Sequence, residues 1–305
     1  MMIRFLTKRL RASSTKVTAT AHNTASGGGK APAIAVFVFG KRGYYVSAES
    51  LALSIRANCP GINVHLWAAD PEQVDHSIFA SVTKLDHQVF DNGPGSLKTS
   101  IYSMLPDGEW LVMDADMVVI KDLSPYIAQL RGHDFAMEYN GKGSSDADLG
   151  YFPWATTDTI KRVASLPDET TFHGVQSSWM WIRKPSAAAK AIFDKARTYP
   201  FKITDLKERW GFDIPDELRF ATAIAELKVD IPDIKLSFYG GLQPYGWSGI
   251  KEPVLCLYGD NKRHSLVRPS WLAIYDTYVR QLYTQTGRLY AYPLRRVMQD
   301  KYVNQ

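Results

Sequence analysis

Between Ala33 and Met113 the chain alternates short, unbroken apolar runs with stretches of helical spacing. Ala33–Phe39 (AIAVFVF) is apolar at every position and stops at Gly40. A strand without polar alternation is buried on both faces, as a parallel strand covered by helices is. Ser47–Asn58 has helical spacing and closes at Pro60-Gly61, and Ile62–Ala69 (INVHLWAA) predicts a second strand. Asp70-Pro71 predicts a helix start, a capping acid followed by proline at the first helical position. Lys84–Phe90 predicts a third strand, Ser96–Leu105 a helix and Trp110–Met113 (WLVM) another buried strand, and Ser124-Pro125 opens the next helix by the same logic. Strands alternating with helices predict an α/β fold, a mostly parallel sheet with helices on both faces.

Past Glu138 the pattern loosens. Tyr139–Gly150 (YNGKGSSDADLG) reads as a polar, glycine-rich loop, and Ser178–Arg183 (SWMWIR) returns to strand character. Pro185–Thr198 and Pro215–Leu227 read as helices and Pro253–Tyr258 (PVLCLY) as a strand. Trp271, Ile274, Tyr275, Tyr278, Val279 and Leu282 keep the spacing of one helix face. Three regions are expected: a basic leader over 1–30, a body over 31–265, and a helical C-terminal extension over 266–305.

The chain has 305 residues, 45% of them hydrophobic and 22% charged, which suits a globular α/β domain and excludes a disordered or collagen-like polymer. Two cysteines, Cys59 and Cys256, exclude a disulfide framework and a multi-cysteine zinc site and set a reducing compartment as the default. No apolar run reaches membrane-spanning length. Residues 1–30 hold six Lys/Arg and no Asp/Glu, residues 259–305 hold eight against three, and the body between them carries more acid than base. The leader is rich in Ser and Thr and ends in Gly27-Gly28-Gly29. It reads as a flexible linker, an organelle transit peptide, or an arm for phosphates or anionic lipid. The expected location is the cytoplasm, with organelle targeting by residues 1–30 as the alternative. The basic ends leave nucleic acid open as a partner.

The most informative segment is Glu109–Leu123 (EWLVMDADMVVIKDL). A buried strand delivers Asp114 and Asp116 to its C-terminal end, and in open α/β sheets ligands bind outside the carboxyl ends of the strands. Hard carboxylate oxygens at i and i+2 suit Mg²⁺ or Mn²⁺, which in turn hold diphosphate oxygens. A second Asp-Ala-Asp, Asp146–Asp148, follows no strand and reads as a solvated loop.

This ordering resembles the GT-A glycosyltransferases, above all the glycogenin-like and bacterial galactosyltransferase-like retaining group. The resemblance covers Ala33–Lys262. It rests on the opening strand with the loop Gly40–Tyr45, on Leu97-Lys98-Thr99 before the acid strand, and on Asp114-Ala115-Asp116. It rests further on Gly174-Val175-Gln176-Ser177-Ser178, on Asp216-Glu217-Leu218-Arg219-Phe220, and on Cys256-Leu257-Tyr258-Gly259-Asp260-Asn261-Lys262. It implies a GT-A, Rossmann-like mixed sheet, and a metal-dependent transfer of a sugar from a nucleotide-sugar donor, commonly a UDP-sugar, to an acceptor hydroxyl. Gly40, Tyr44, Lys98, Asp114 and Lys262 are the implied donor contacts. Asp114 and Asp116 are the implied ligands of Mn²⁺ or Mg²⁺. Cys256 stands where the retaining group has a histidine ligand, and a thiolate is a soft match for such ions. Asp216, Glu217 and Gln176 are the implied catalytic groups near the reacting carbon.

Other readings stay open on the sequence. Asp216 and Glu217 suit the first turn of any helix after Pro215. Gln176 suits a structural amide, Lys98 a solvated helix charge and Cys256 a core position. An apolar strand followed by D-x-D also resembles haloacid-dehalogenase-like phosphatases, with Asp114 as nucleophile, although those folds open with the motif. A non-catalytic nucleotide or sugar binder fits the Cys256 departure. The C-terminal tyrosines and arginines read as a packed helix face or as a stacking surface. The acceptor is a glycan, a protein, a small molecule or a nucleic acid.

Overall fold

The computed structural model describes residues 31–40, 42–86, 94–146, 149, 154–207, 214–239, 252–256 and 284. The leader over 1–30, Asp148, Lys262 and the expected extension over 266–305, Thr284 apart, lie outside the described residues.

The main sheet holds β1 (Ala33–Val38), β2 (Val64–Ala68), β3 (Ser81–Lys84), β4 (Gly108–Met113), β6 (Phe135–Gly143) and β7 (Phe172–Lys184). Its order is β3-β2-β1-β4-β7-β6. The first four strands are mutually parallel, and β7 and β6 join antiparallel. A second, three-stranded sheet holds β5 (Met117–Val119), β9 (Val254–Cys256) and β8 (Ser237–Tyr239), in that order. The helices are α1 (Arg42–Asn58), α2 (Pro94–Met104), α3 (Ser124–Leu130), α4 (Thr157–Ala164), α5 (Ala187–Ala196) and α6 (Asp216–Glu226).

The apolar run of β1 explains itself in this arrangement. Ala33 and Ala35 face one core with Leu97, Ile101, Phe193 and Phe220, while Ile34, Val36 and Val38 face the other with Leu51, Leu66 and Trp181. Both faces are covered, so neither tolerates polar alternation. Parallel β1 and β4 end on the same edge of the sheet. That edge carries Gly40, the first turn of α1, and the Asp114–Asp116 link into β5.

Several local expectations are corrected. The third strand is Ser81–Lys84, because its pairing with β2 sets Ser81 opposite His65; of the expected strand Lys84–Phe90, only Lys84 is strand among the described residues, and 87–90 lie outside them. Asp70-Pro71 opens only a single 3-10 turn, Pro71–Gln73, and Asp70 caps nothing. Its carboxylate accepts instead from the Tyr45 hydroxyl at 3.0 Å and from Gln73 Nε2 at 3.1 Å. The helix at Ser124-Pro125 forms, but the acid that serves its first turn is Asp122, which accepts from the Ser124 amide at 2.9 Å. The start of the supposed loop Tyr139–Gly150 is strand, since β6 runs through Gly143 and pairs with β7 across two irregularities of register. Asp146 keeps 38% of its side chain exposed and is also pinned. It accepts from the Thr157 amide at the start of α4 at 2.8 Å, and from Lys207 Nζ at 2.7 Å.

Candidate functional site

The site is assembled around Lys98, in the second turn of α2. Its ammonium lies 3.0 Å from each carboxylate oxygen of Asp114, at the end of β4. It donates to the Ser177 carbonyl at 3.1 Å and to the Ser177 hydroxyl at 2.9 Å, both on β7. An oxygen of Asp216, the first residue of α6, stands 3.7 Å away. Ser177 Oγ donates in turn to Glu217 Oε1 at 3.1 Å. Four elements distant in sequence thus place three carboxylates, one ammonium and one hydroxyl within a continuous polar network.

Each member is set by its backbone. The Asp114 amide donates to the Ser178 carbonyl at 2.9 Å, which continues the β4–β7 ladder beyond Met113 and fixes where the carboxylate leaves the sheet. Asp216 and Glu217 occupy the first turn of α6, where free backbone amides favour negative charge. The side chain of Asp114 keeps about a third of its surface open, against an eighth for Asp216. Asp114 is therefore the carboxylate a ligand can reach.

Electrostatics follow from crowding acids in a partly dry place. Burial raises the Asp114 carboxyl above the ordinary range, Lys98 opposes it, and neighbouring Asp116 and Asp216 add to the rise. Burial also raises Glu217, reinforced by the charge of Asp216 and opposed by Lys98. For Lys98, burial alone would lower the pKa, but Asp114, Asp216 and Glu217 together outweigh it and hold the ammonium charged.

Of the residues singled out from sequence, Lys98, Asp114, Asp216 and Glu217 come together. Asp116 lies in the turn after Asp114, half-buried. Gln176 sits on β7 beside Ser177, and its Oε1 is buried without a hydrogen-bond partner among the described residues. Gly40, two residues past the end of β1, has φ +83°, a left-handed backbone that glycine adopts freely. Nothing stands within 4 Å of where its Cβ would be. Tyr44 packs against the core from the first turn of α1. Cys256 is buried on β9, paired with Met117 in the strand that follows Asp116. Among the described residues no three His, Cys, Asp or Glu side chains gather into a ready cation cage.

Sequence reasoning missed two supports. Ser177 lay inside a segment singled out for resemblance, yet nothing in its type or spacing marked the bond to Lys98. Glu138, on β6, is 3% exposed and accepts from Trp179 Nε1, from the Ser237 amide at 3.1 Å and from the Ser237 hydroxyl at 2.9 Å. It ties the small sheet to the strand that carries Ser177 and Ser178. Burial pushes its pKa up to about 7, against the lowering effect of those donors. A raised carboxyl stabilises the fold below its unfolded pKa of 4.5 and loses that contribution as pH rises through about 7. Unfolding free energy is expected to fall by up to about 3 kcal/mol across that window, a limb that Glu138→Gln should flatten in urea melts at stepped pH.

No protein-family model matches the chain. No curated protein matches it in sequence. Solved structures match in shape. A crystal structure of the galactosyltransferase LgtC, with donor and acceptor sugar analogues, aligns at TM-score 0.50 and 11% identity, over 80% of this chain and 95% of its own. The apo form of mouse xyloside xylosyltransferase 1 aligns at TM-score 0.45 and 10% identity, over 77% and 99%. The chain has a GT-A-like fold. At such identity the likeness describes architecture, and the reaction has to be argued from the site.

Proposed function

We propose that the protein transfers a glycosyl group from a nucleoside-diphosphate sugar to an acceptor hydroxyl, assisted by Mg²⁺ or Mn²⁺. The observation that carries this reading is the Lys98–Asp114–Asp216–Ser177–Glu217 network at the C-terminal edge of the parallel strands. In a GT-A-like fold this edge is where a nucleotide and its diphosphate would lie.

The donor set fits a divalent ion of the expected kind. Asp114 and Asp116 offer hard oxygen ligands from half-buried positions, and two protein carboxylates leave positions for diphosphate and water. Cys256, buried and soft, is left outside this set. Such an ion would offset charge on the departing diphosphate.

The protein's own residues supply the rest. The glycosidic C1–O bond to the β-phosphate breaks and the diphosphate leaves with the electron pair. A new C1–O bond forms to the acceptor oxygen, whose proton passes to a carboxylate of the site. Lys98 would stabilise the charge that grows on the diphosphate, with its positive charge in position before the reaction begins. Asp216 and Glu217 offset the oxocarbenium-like charge at C1. Glu217, with its raised pKa and its bond to Ser177, suits a proton-handling role near neutrality. Gln176, with its orphaned carbonyl oxygen, suits a sugar hydroxyl. Gly40 and Tyr44, on the same sheet edge, would contact the base. Lys262 joins the donor contacts by the resemblance alone. UDP is the first donor nucleotide to test, and the acceptor is any of the hydroxyl-bearing classes named above. Among the described residues no helix is long and apolar enough to cross a membrane.

The test is thermal stability with UDP, GDP, CDP and dTDP, each with and without Mn²⁺, on wild type and Asp116→Ala. A ligand at a hundred times its Kd adds about 2.7 kcal/mol to the folded state. A metal-dependent rise in Tm with one diphosphate, lost in Asp116→Ala, is expected. No shift with any of the four, in folded protein, would overturn the donor reading.

A further inference from the structure

We propose that Lys98 closes the carboxylate site to a free divalent cation, so that metal enters only together with a diphosphate. The inference deepens the reading above and rests on Asp114 being a metal ligand.

The geometry sets a competition. Both oxygens that Asp114 has to offer a hard cation already face the Lys98 ammonium, each at 3.0 Å. The ammonium is not loosely held. It also donates to the Ser177 hydroxyl and carbonyl and has Asp216 at 3.7 Å, so its three protons face five oxygens. A divalent ion approaching Asp114 therefore meets a fixed positive charge in partly buried surroundings, where repulsion is weakly screened. Among the described residues no three acidic, thiol or imidazole side chains gather in a way that could hold a cation against that repulsion.

A diphosphate reverses the balance on both counts. It brings oxygen ligands for the metal, and it gives Lys98 an anionic partner other than Asp114. Metal and diphosphate then raise one another's affinity by the same factor, as linkage requires.

The experiment is a Mn²⁺ titration of the full chain, reading free Mn²⁺ by electron paramagnetic resonance, on wild type, Lys98→Met, Lys98→Gln and Lys98→Arg. Folding of each is checked by circular dichroism. Without nucleotide, Lys98→Met and Lys98→Gln are expected to bind Mn²⁺ at least about tenfold more tightly than wild type, while Lys98→Arg stays as weak as wild type. Lys98→Gln keeps an N–H for Asp114, so it carries the comparison if the methionine variant fails to fold. Neutral variants that bind Mn²⁺ no more tightly than wild type would overturn the proposal. Because these titrations contain no nucleotide, they read separately from the donor hypothesis. In a parallel wild-type titration UDP is expected to tighten Mn²⁺ binding; no effect of UDP, alongside the expected gain in the neutral variants, would sink both the donor assignment and the joint entry of metal with diphosphate, and leave only the exclusion of free metal by Lys98.

Discussion

Asp114→Asn is expected to slow nucleotide-sugar turnover by about 10²–10³-fold while the chain stays folded, the scale seen when one preorganised electrostatic group is lost from a transition state. Asparagine keeps the shape and the backbone link from the Asp114 amide to the Ser178 carbonyl. It removes the anion that orients Lys98 and that, on the proposed reading, would offer oxygens to a divalent ion. Lys98 still has Asp216 and the Ser177 hydroxyl as partners, so the substitution leaves no buried ammonium stranded. The check is release of nucleoside diphosphate from a panel of nucleotide sugars, where slow hydrolysis by water stands in for transfer to the acceptor. Far-ultraviolet circular dichroism on the same samples reports the fold. Turnover within a few-fold of wild type would remove Asp114 from the chemistry.

The largest effect on stability is expected at Glu138, which lies on β6 opposite Gln176. Glu138→Ala strips the acceptor from Trp179 Nε1 and from the Ser237 amide and hydroxyl in one step. Buried donors without an acceptor each carry a desolvation penalty, so a loss of roughly 3–5 kcal/mol is expected in urea melts. Glu138→Gln keeps a carbonyl oxygen for the same donors and should cost about 1 kcal/mol or less at pH 6. The damage should also reach the site, because Trp179 follows Ser178, whose carbonyl holds the Asp114 amide. An alanine variant as stable as wild type would show that the small sheet is held by its apolar contacts and not through this carboxylate.

Part of this arrangement was legible along the chain because it is local. The unbroken apolar run of β1 signals burial on two faces whatever packs there. Asp114 and Asp116 declare themselves because a buried strand must end, and two acids at its end have one place to point. Asp216 and Glu217 follow a proline at a helix start, a position that chain chemistry marks by itself. Where local signals were ambiguous, pairing decided. Ser81–Lys84 is a strand because β2 offers it an edge in that register, and Tyr139–Gly143 is a strand because β7 does, against the turn propensity of its glycines.

The site itself was decided by tertiary structure. Lys98 and Asp216 are far apart in sequence, and no spacing rule links an ammonium on α2 to a carboxylate on α6. They meet because β7 inserts antiparallel beside β4 and carries Ser177 between them. Glu138 was invisible for the same reason, since a lone glutamate in a strand looks solvated until Trp179 and Ser237 close over it. Sequence patterns report what each residue requires of its own neighbourhood. Which opposite charges share one buried space depends on strand order and register, and these emerge only when the whole sheet is assembled.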